Sequence, residues 1–453
     1  MARRGITRRN LLKAGAAGAA MSTFPLVNVH SQGSAGKLAL GFWDHWVGAV
    51  ANDQMRAIVN DWGEKNNVEV TLDFITSVGN KNLITIAAES QAGQGHDILS
   101  FPSWMVHDQQ HMLEPMDDVV GRLVEKYGAI NEASEYLAKI DGSWMAVPET
   151  AGSQYKGSAA RIDLMQKYGI DVQAMYPAEN KLGPGAEDWT WETFLKAAEQ
   201  ANADGHPFAL PAGTLTDAVD WVGAMFRSYG ADLVNADGNI TVSDNENVMQ
   251  VMEYAKRLFQ HIPNEMFAAD DATNNRALIS GSAALIFNPP SAWAVAKRDA
   301  PDVAKNVWHF PSPAGPQGRF APHLPYFYGV WNFSENKEAA KALLEHLSEI
   351  DQVARLVEAS SGYDIPPFSS MFEKIDTWKE VEPPLGTVYN YPVREHHNAT
   401  PSIALAPAPP EIAVQMYNQA IQTKMIARMV QNNAPIEDVL GWAEEEIEGF
   451  QRG

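Results

Sequence analysis

The chain has 453 residues, 45% hydrophobic and 20% charged, with no cysteine and a formal net charge of −22 from 34 Lys plus Arg against 56 Asp plus Glu. Such a composition is globular, and at about 150 residues per domain its length suits roughly three domains or two larger ones. The negative charge repels phosphate backbones and anionic lipid and so argues against a nucleic-acid partner, while the missing thiols exclude disulfides, Cys zinc sites, thiol nucleophiles and a lipid-bearing N-terminal cysteine.

Residues 1 to 36 hold five basic groups and no acid, so the rest of the chain carries 29 basic against 56 acidic groups, a charge of −27. Arg3, Arg4, Arg8, Arg9 and Lys13 precede an uncharged run of mostly small residues from Ala14 to Val29, the order of a cleaved leader. Within it Thr7-Arg8-Arg9-Asn10-Leu11-Leu12-Lys13 resembles the twin-arginine export signal, which implies export of the folded chain and a location in the periplasm of a Gram-negative bacterium. Residues 1–36 are accordingly expected to be a signal peptide with its exit near Ser34-Ala35. No later segment offers about 20 uninterrupted apolar residues, so no membrane insertion is expected after its removal.

Lys37 to Phe42 reads as a strand, Ala49 to Lys65 as a helix with Met55, Ile58, Val59 and Trp62 at helical spacing, and Val68 to Phe74 as a second, alternating strand. Asn82 to Gln91 predicts a helix and Asp97 to Phe101 a third strand. This βαβαβ order predicts a parallel sheet with its ligand crevice at the strand carboxyl ends. A turn at Asp141-Gly142 leads into a strand over Trp144 to Val147. Further helices are expected at Trp191 to Ala203, Ala218 to Tyr229, Asn247 to His261 and Lys337 to Ile350. Breaks rich in Gly and Pro at 177–185, 311–318, 383–386 and 406–410 are too short to be disordered linkers, and no internal repeat is present.

A series of short motifs extends over about 400 residues in order. It comprises Gly41-Phe42-Trp43-Asp44-His45-Trp46, His96-Asp97-Ile98-Leu99, Leu113-Glu114-Pro115-Met116-Asp117-Asp118, Asp141 to Pro148, Thr190-Trp191-Glu192-Thr193-Phe194, Gly281 to Leu285, Phe310 to Gly315 and Gly329 to Ala340. The series is similar to extracellular solute-binding proteins of the sugar-binding type. That resemblance implies a periplasmic-binding-protein-like fold: two α/β lobes joined by crossing hinge strands, closing on a ligand in the cleft and delivering it to the permease subunits of an ABC transporter. Where many relatives carry a Tyr-Asn pair, this chain has Lys156-Gly157-Ser158-Ala159-Ala160-Arg161, so contacts there are not carried over. Lobe one is expected from 38–150 plus 330–395 and lobe two from 152–325 plus 400–453, with apolar crossings near Val147 and Tyr328.

Sugars present hydroxyls that need donors and acceptors, and C–H faces that stack on rings, so aromatics beside polar residues at strand ends are the candidate contacts. Trp43, Asp44, His45 and Trp46 follow the first strand; Phe101, Ser103 and Trp104 end the third. Asn288 and Trp293 follow an apolar strand of the second lobe, Tyr326 and Tyr328 lie at a crossing, and Tyr363 and Asp364 follow the Ser360-Ser361-Gly362 turn. Trp62, Trp191 and Trp442, inside helical patterns, read as core.

Enzyme signatures are missing: GxSxG, HExxH, GxxxxGK[ST] and GxGxxG do not occur. His107 and His111 have i,i+4 spacing but no evident third ligand, and Asn235 to Gly238 reads as a hairpin turn, not a calcium loop, because Leu233 stands at the first ligand position. With 56 acids, a carboxylate pair for glycoside hydrolysis stays open as the alternative. The expectation is a monomeric, non-enzymatic binding protein without cofactor or metal. Its ligand is expected to be a small neutral solute, foremost a sugar or oligosaccharide, with a polyol, an amino acid or another small organic solute as further alternatives.

Overall fold

The computed structural model describes residues 36–152, 155–178, 182–380 and 400–452. The leader, the 383–386 break and the residues Arg394, His396 and His397 lie outside the described residues. Strands β1 (Lys37–Trp43), β2 (Glu69–Ile75) and β3 (Ile98–Pro102) are parallel, β1 pairing with both others. Helices Ala49–Asn66 and Lys81–Ala92 form the crossovers, matching the βαβαβ reading. Apolar runs at Leu38, Leu40, Ile98 and Leu99 suit strands covered on both faces, and all four are buried.

Two later segments complete this sheet. β4 (Val147–Pro148) and, far along the chain, β8 (Tyr326–Val330) give the order β2-β1-β3-β8-β4, with β8 antiparallel to β3 and β4. A separate sheet is formed by β5 (Ser158–Arg161) between β6 (Leu285–Phe287) and β7 (Val307–Phe310), all antiparallel. These are the sheets of a two-lobed α/β fold, and the chain passes between them beside β4 and β8. The second sheet carries an aromatic core in which Phe287 packs against Phe194 and Trp221 at 5.4 and 5.9 Å. Trp191 and Trp62 are buried, while Trp442 is half-buried under Arg428, whose guanidinium lies 4.0 Å from the ring centroid.

Three local expectations change. The strand over Trp144 to Val147 divides into Ser143–Trp144, paired with Lys139–Ile140, and β4, paired with β8. The cause is that Trp144 spends its backbone groups on Asp117 and Met116, leaving no continuous ladder. The helix from Lys337 stops at Leu347, because Ser348 closes it onto Leu344 and Glu345 and Glu349 is extended; a second helix covers Ile350–Ala359. His107 and His111 fall on different elements, a short helix ending at Gln109 and a following 3-10 turn, and His107 is buried while His111 is exposed. Among the described residues no cluster of three His, Cys, Asp or Glu could hold a metal, and no helix is long and apolar enough to cross a membrane.

Asp97 ties the first sheet together. Its carboxylate accepts from the Ala39 backbone N–H at 2.8 Å and from the Ser334 hydroxyl at 2.5 Å, and its own backbone pairs with Ala39 and Trp331. The side chain is buried, so Asp97→Ala would strand two donors, each at about 1–3 kcal/mol. Urea unfolding should show Asp97→Ala destabilised by about 3 kcal/mol with an unchanged slope; a loss under about 1 kcal/mol would mean that this junction does not hold the sheet.

Candidate functional site

β1 ends at Trp43, and the chain turns away as the Asp44 N–H donates to the Ile75 carbonyl. Asn52, in the next helix, fixes the turn by donating from Nδ2 to Asp44 at 2.8 Å and accepting the His45 N–H at 3.1 Å. The Trp43 ring then lies 5.2 Å from Tyr326, 5.2 Å from His45 and 6.4 Å from Tyr363, centroid to centroid. His45 meets Tyr363 edge-on at 5.1 Å, and its Nε2 is 3.1 Å from both oxygens of Asp364. Asp364 also accepts the Gly152 N–H at 3.0 Å. The Tyr363 ring covers Gly152 so closely that any side chain at 152 would collide with it.

A set of carboxyl groups adjoins these rings. Lys156, 2% exposed, places Nζ 2.5 Å from Asp217 and 2.8 Å from Asp220, and Tyr417 donates to Asp220 at 3.1 Å. Asn274 donates to the other Asp217 oxygen at 3.3 Å. Burial works to lower the Lys156 pKa, yet Asp217 and Asp220 together hold it above the usual lysine range, so the ammonium stays charged. Burial pushes Asp220 up to about 6 against the pull of Lys156. It pushes Asp271 up to about 7, with Asp217 adding like-charge repulsion. Glu149 is pushed up to about 8 by burial; Ser100 and Tyr328 present hydroxyls that oppose the shift, while Asp364 reinforces it. Tyr326 stands between the groups: burial raises its hydroxyl, and Asp271, Tyr363, Glu149 and Asp217 all act on it.

The structure therefore brings together Trp43, His45, Tyr326, Tyr363 and Asp364, with Asp44 behind them and Tyr328 beneath, its ring 4.8 Å from Phe42. Trp46 is half-buried at the edge of the same core. Ser103 donates its N–H to the Pro325 carbonyl and reaches Tyr417. Trp104 donates to the Ala404 carbonyl at 3.0 Å and packs on His107 and Tyr136. Phe101 faces Trp331 at 5.2 Å inside the first lobe. Asn288 donates to Asn275, which contacts Ser291, and Trp293 is fully buried with Lys297 above its ring. Sequence reasoning missed Glu149, Lys156, Asp217, Asp220, Asp271 and Tyr417. Two of these had a signal: Glu149 directly follows the crossing strand, and Lys156 stands where the chain departs from its relatives' pattern.

The profile of the bacterial extracellular solute-binding protein family matches residues 48–354. The chain belongs to that family. A probable ABC transporter-binding protein of Deinococcus radiodurans is 24% identical over 247 residues, 51% of this chain, and the match spans about half (53%) of that relative's length. Among solved structures, maltose-bound T. maritima MalE3 has a TM-score of 0.70 at 18% identity, covering 91% of this chain and 99% of its own. A Thermotoga lettingae ABC transporter solute-binding protein bound to alpha-D-tagatose has 0.70 at 16%, covering 92% and 100%. A sugar transporter protein of Arthrobacter chlorophenolicus with bound laminaribiose has 0.69 at 14%, covering 91% and 99%. At these identities the likeness is one of fold.

Raised carboxyl groups mean that the folded chain keeps protons which the unfolded chain releases. Their stability contribution is thus complete below the ordinary carboxylate range and is lost as pH climbs through about 6, 7 and 8, the values for Asp220, Asp271 and Glu149. The unliganded protein should melt at progressively lower temperature between about pH 5 and pH 8, and Glu149→Gln should flatten the upper part of that decline. A melting temperature that rises over the interval would contradict the burial of these acids.

Proposed function

We propose that the chain is the solute-binding component of an ABC importer, exported through its twin-arginine leader to the periplasm. There it captures a carbohydrate by lobe closure and passes it unchanged to the permease. The observation that carries this reading is the wall of Trp43, Tyr326, Tyr363 and His45 at the carboxyl end of β1, backed by Asp364. Rings offer faces to sugar C–H surfaces, and carboxylates and amides offer partners to hydroxyls. The sugars bound in the neighbouring structures support the same class.

The lobe division at the crossings near Val147 and Tyr328 belongs to this proposal. It is supported by the separate hydrogen bonding of the two sheets. Closure fits the contacts in which Trp104 reaches Ala404 and Ser103 reaches Tyr417, because a ligand touching both lobes stabilises the closed form by its differential affinity alone.

The carboxyls of Glu149 and Asp364 act on one another in the same space, which keeps glycoside hydrolysis as the second reading. A calorimetric screen of mono- and disaccharides on the purified protein should find a binder that is recovered unaltered. Trp43→Ala, in protein verified as folded, should weaken it at least tenfold, about 1.4 kcal/mol, and should also lower the unfolding midpoint, because the ring is 5% exposed and packs on Tyr326 and Tyr363. Small-angle scattering should show a smaller radius of gyration with the binder present. Release of cleaved sugar would favour the hydrolase instead.

A further inference from the structure

The carbohydrate reading leaves the charge of the cleft unexplained. Glu149, Asp217, Asp220, Asp271 and Asp364 are five acids within one buried region, faced by the Lys156 ammonium and the His45 imidazole. Lys156 is fully engaged by Asp217 and Asp220, and His45 by Asp364. The segments carrying these groups converge on the stretch before β8: the Lys156 N–H donates to the Pro322 carbonyl, Ser103 to Pro325 and Glu149 to Tyr326.

Two unmet hydrogen-bonding groups point to what is wanted there. Asp271 is 8% exposed, and its Oδ1 has no hydrogen-bond partner among the described residues; a buried acceptor of this kind calls for a donor. Trp43 is 5% exposed, and its indole Nε1–H has no acceptor among the described residues, although its ring packs on Tyr326. The indole N–H suits a sugar hydroxyl. An orphaned carboxylate beside Asp217, Asp220 and Asp270, close to aromatic faces, suits an ammonium group, which gains from both the charge and the ring quadrupoles. The raised pKa values of Asp271 and Glu149 come first from burial, to which Asp217 and Asp364 respectively add a like-charge repulsion that a bound cation would relieve.

We propose that the cleft selects an amine-bearing carbohydrate, the cationic nitrogen meeting Asp271 and the neighbouring acids while the sugar ring stacks on Trp43 and Tyr326. This rests on the carbohydrate-binding reading given above. The test uses matched sugars that differ at C2 alone: glucose and glucosamine, galactose and galactosamine, and the β-1,4 disaccharides cellobiose, diacetylchitobiose and chitobiose. Each is titrated calorimetrically into the mature protein at a pH where the free amine is protonated. In at least one set the amine member should bind ten or more times tighter than its hydroxyl and acetamide counterparts. Asp271→Asn, verified as folded by circular dichroism, should erase that preference. Equal or tighter binding of a neutral member overturns the charge selection and leaves the carbohydrate reading standing. Silence from every sugar, neutral and amine alike, overturns both.

Discussion

An ammonium held between two carboxylates in a space closed to water sets the terms for everything around it. Removing Lys156, Asp217 and Asp220 from water is expensive, and their mutual attraction offsets that cost only if the remaining lone pairs are satisfied. Tyr417 and Asn274 supply those bonds, which draws the helix Pro410–Asn418 and the helix Thr273–Ile279 onto the helix Thr216–Tyr229. The same requirement brings the chain at Lys156 to the stretch before β8, through its backbone bond to Pro322. One buried cation therefore organises the second-lobe side of the cleft, and it is already matched by two acids. Any further carboxyl near it, such as Asp271, feels the Lys156 charge only alongside the like charges of Asp217 and Asp220.

The sequence made the first lobe readable because its strands and helices obey simple periods. Helical spacing marked 49–66 and alternation marked 69–75 to within a residue or two, whereas the role of Asp97 in stitching the sheet came only from the structure. Trp43, His45, Tyr326, Tyr363 and Asp364 were found because aromatics next to polar residues at strand ends have few structural reasons to be there. Their assembly was not readable. Asp364 comes 319 residues after His45, and no local pattern states that separation. The acids of the second lobe were harder still, since Asp217 and Asp220 sit on one helix in a pattern that reads equally as a solvated face. Only the placement of Lys156 by β5 decides that they point inward. The division of 143–148 into two short strands failed for a related reason: Trp144 finds its partners at 116 and 117, through tertiary contacts that propensity does not contain.

In the function proposed above, recognition and hinge use the same residues. Glu149 follows β4, Tyr326 opens β8, and Gly152 lies between the two sheets with Tyr363 pressed on its α-carbon and Asp364 holding its N–H. A ligand touching Tyr326 and Asp364 therefore acts on the backbone that must rotate when the lobes part. Separating the lobes admits water to Glu149, Asp271 and Asp220, and water favours their ionised forms. Opening is thereby tied to proton loss and closing to proton uptake or to a bound cation. A neutral occupant would close the lobes over protonated acids, whereas a cationic one would close them over carboxylates. Under the proposed closure the lobes would thus have two chemically distinct ways of remaining shut, and the charge of the solute would decide which of them the protein uses.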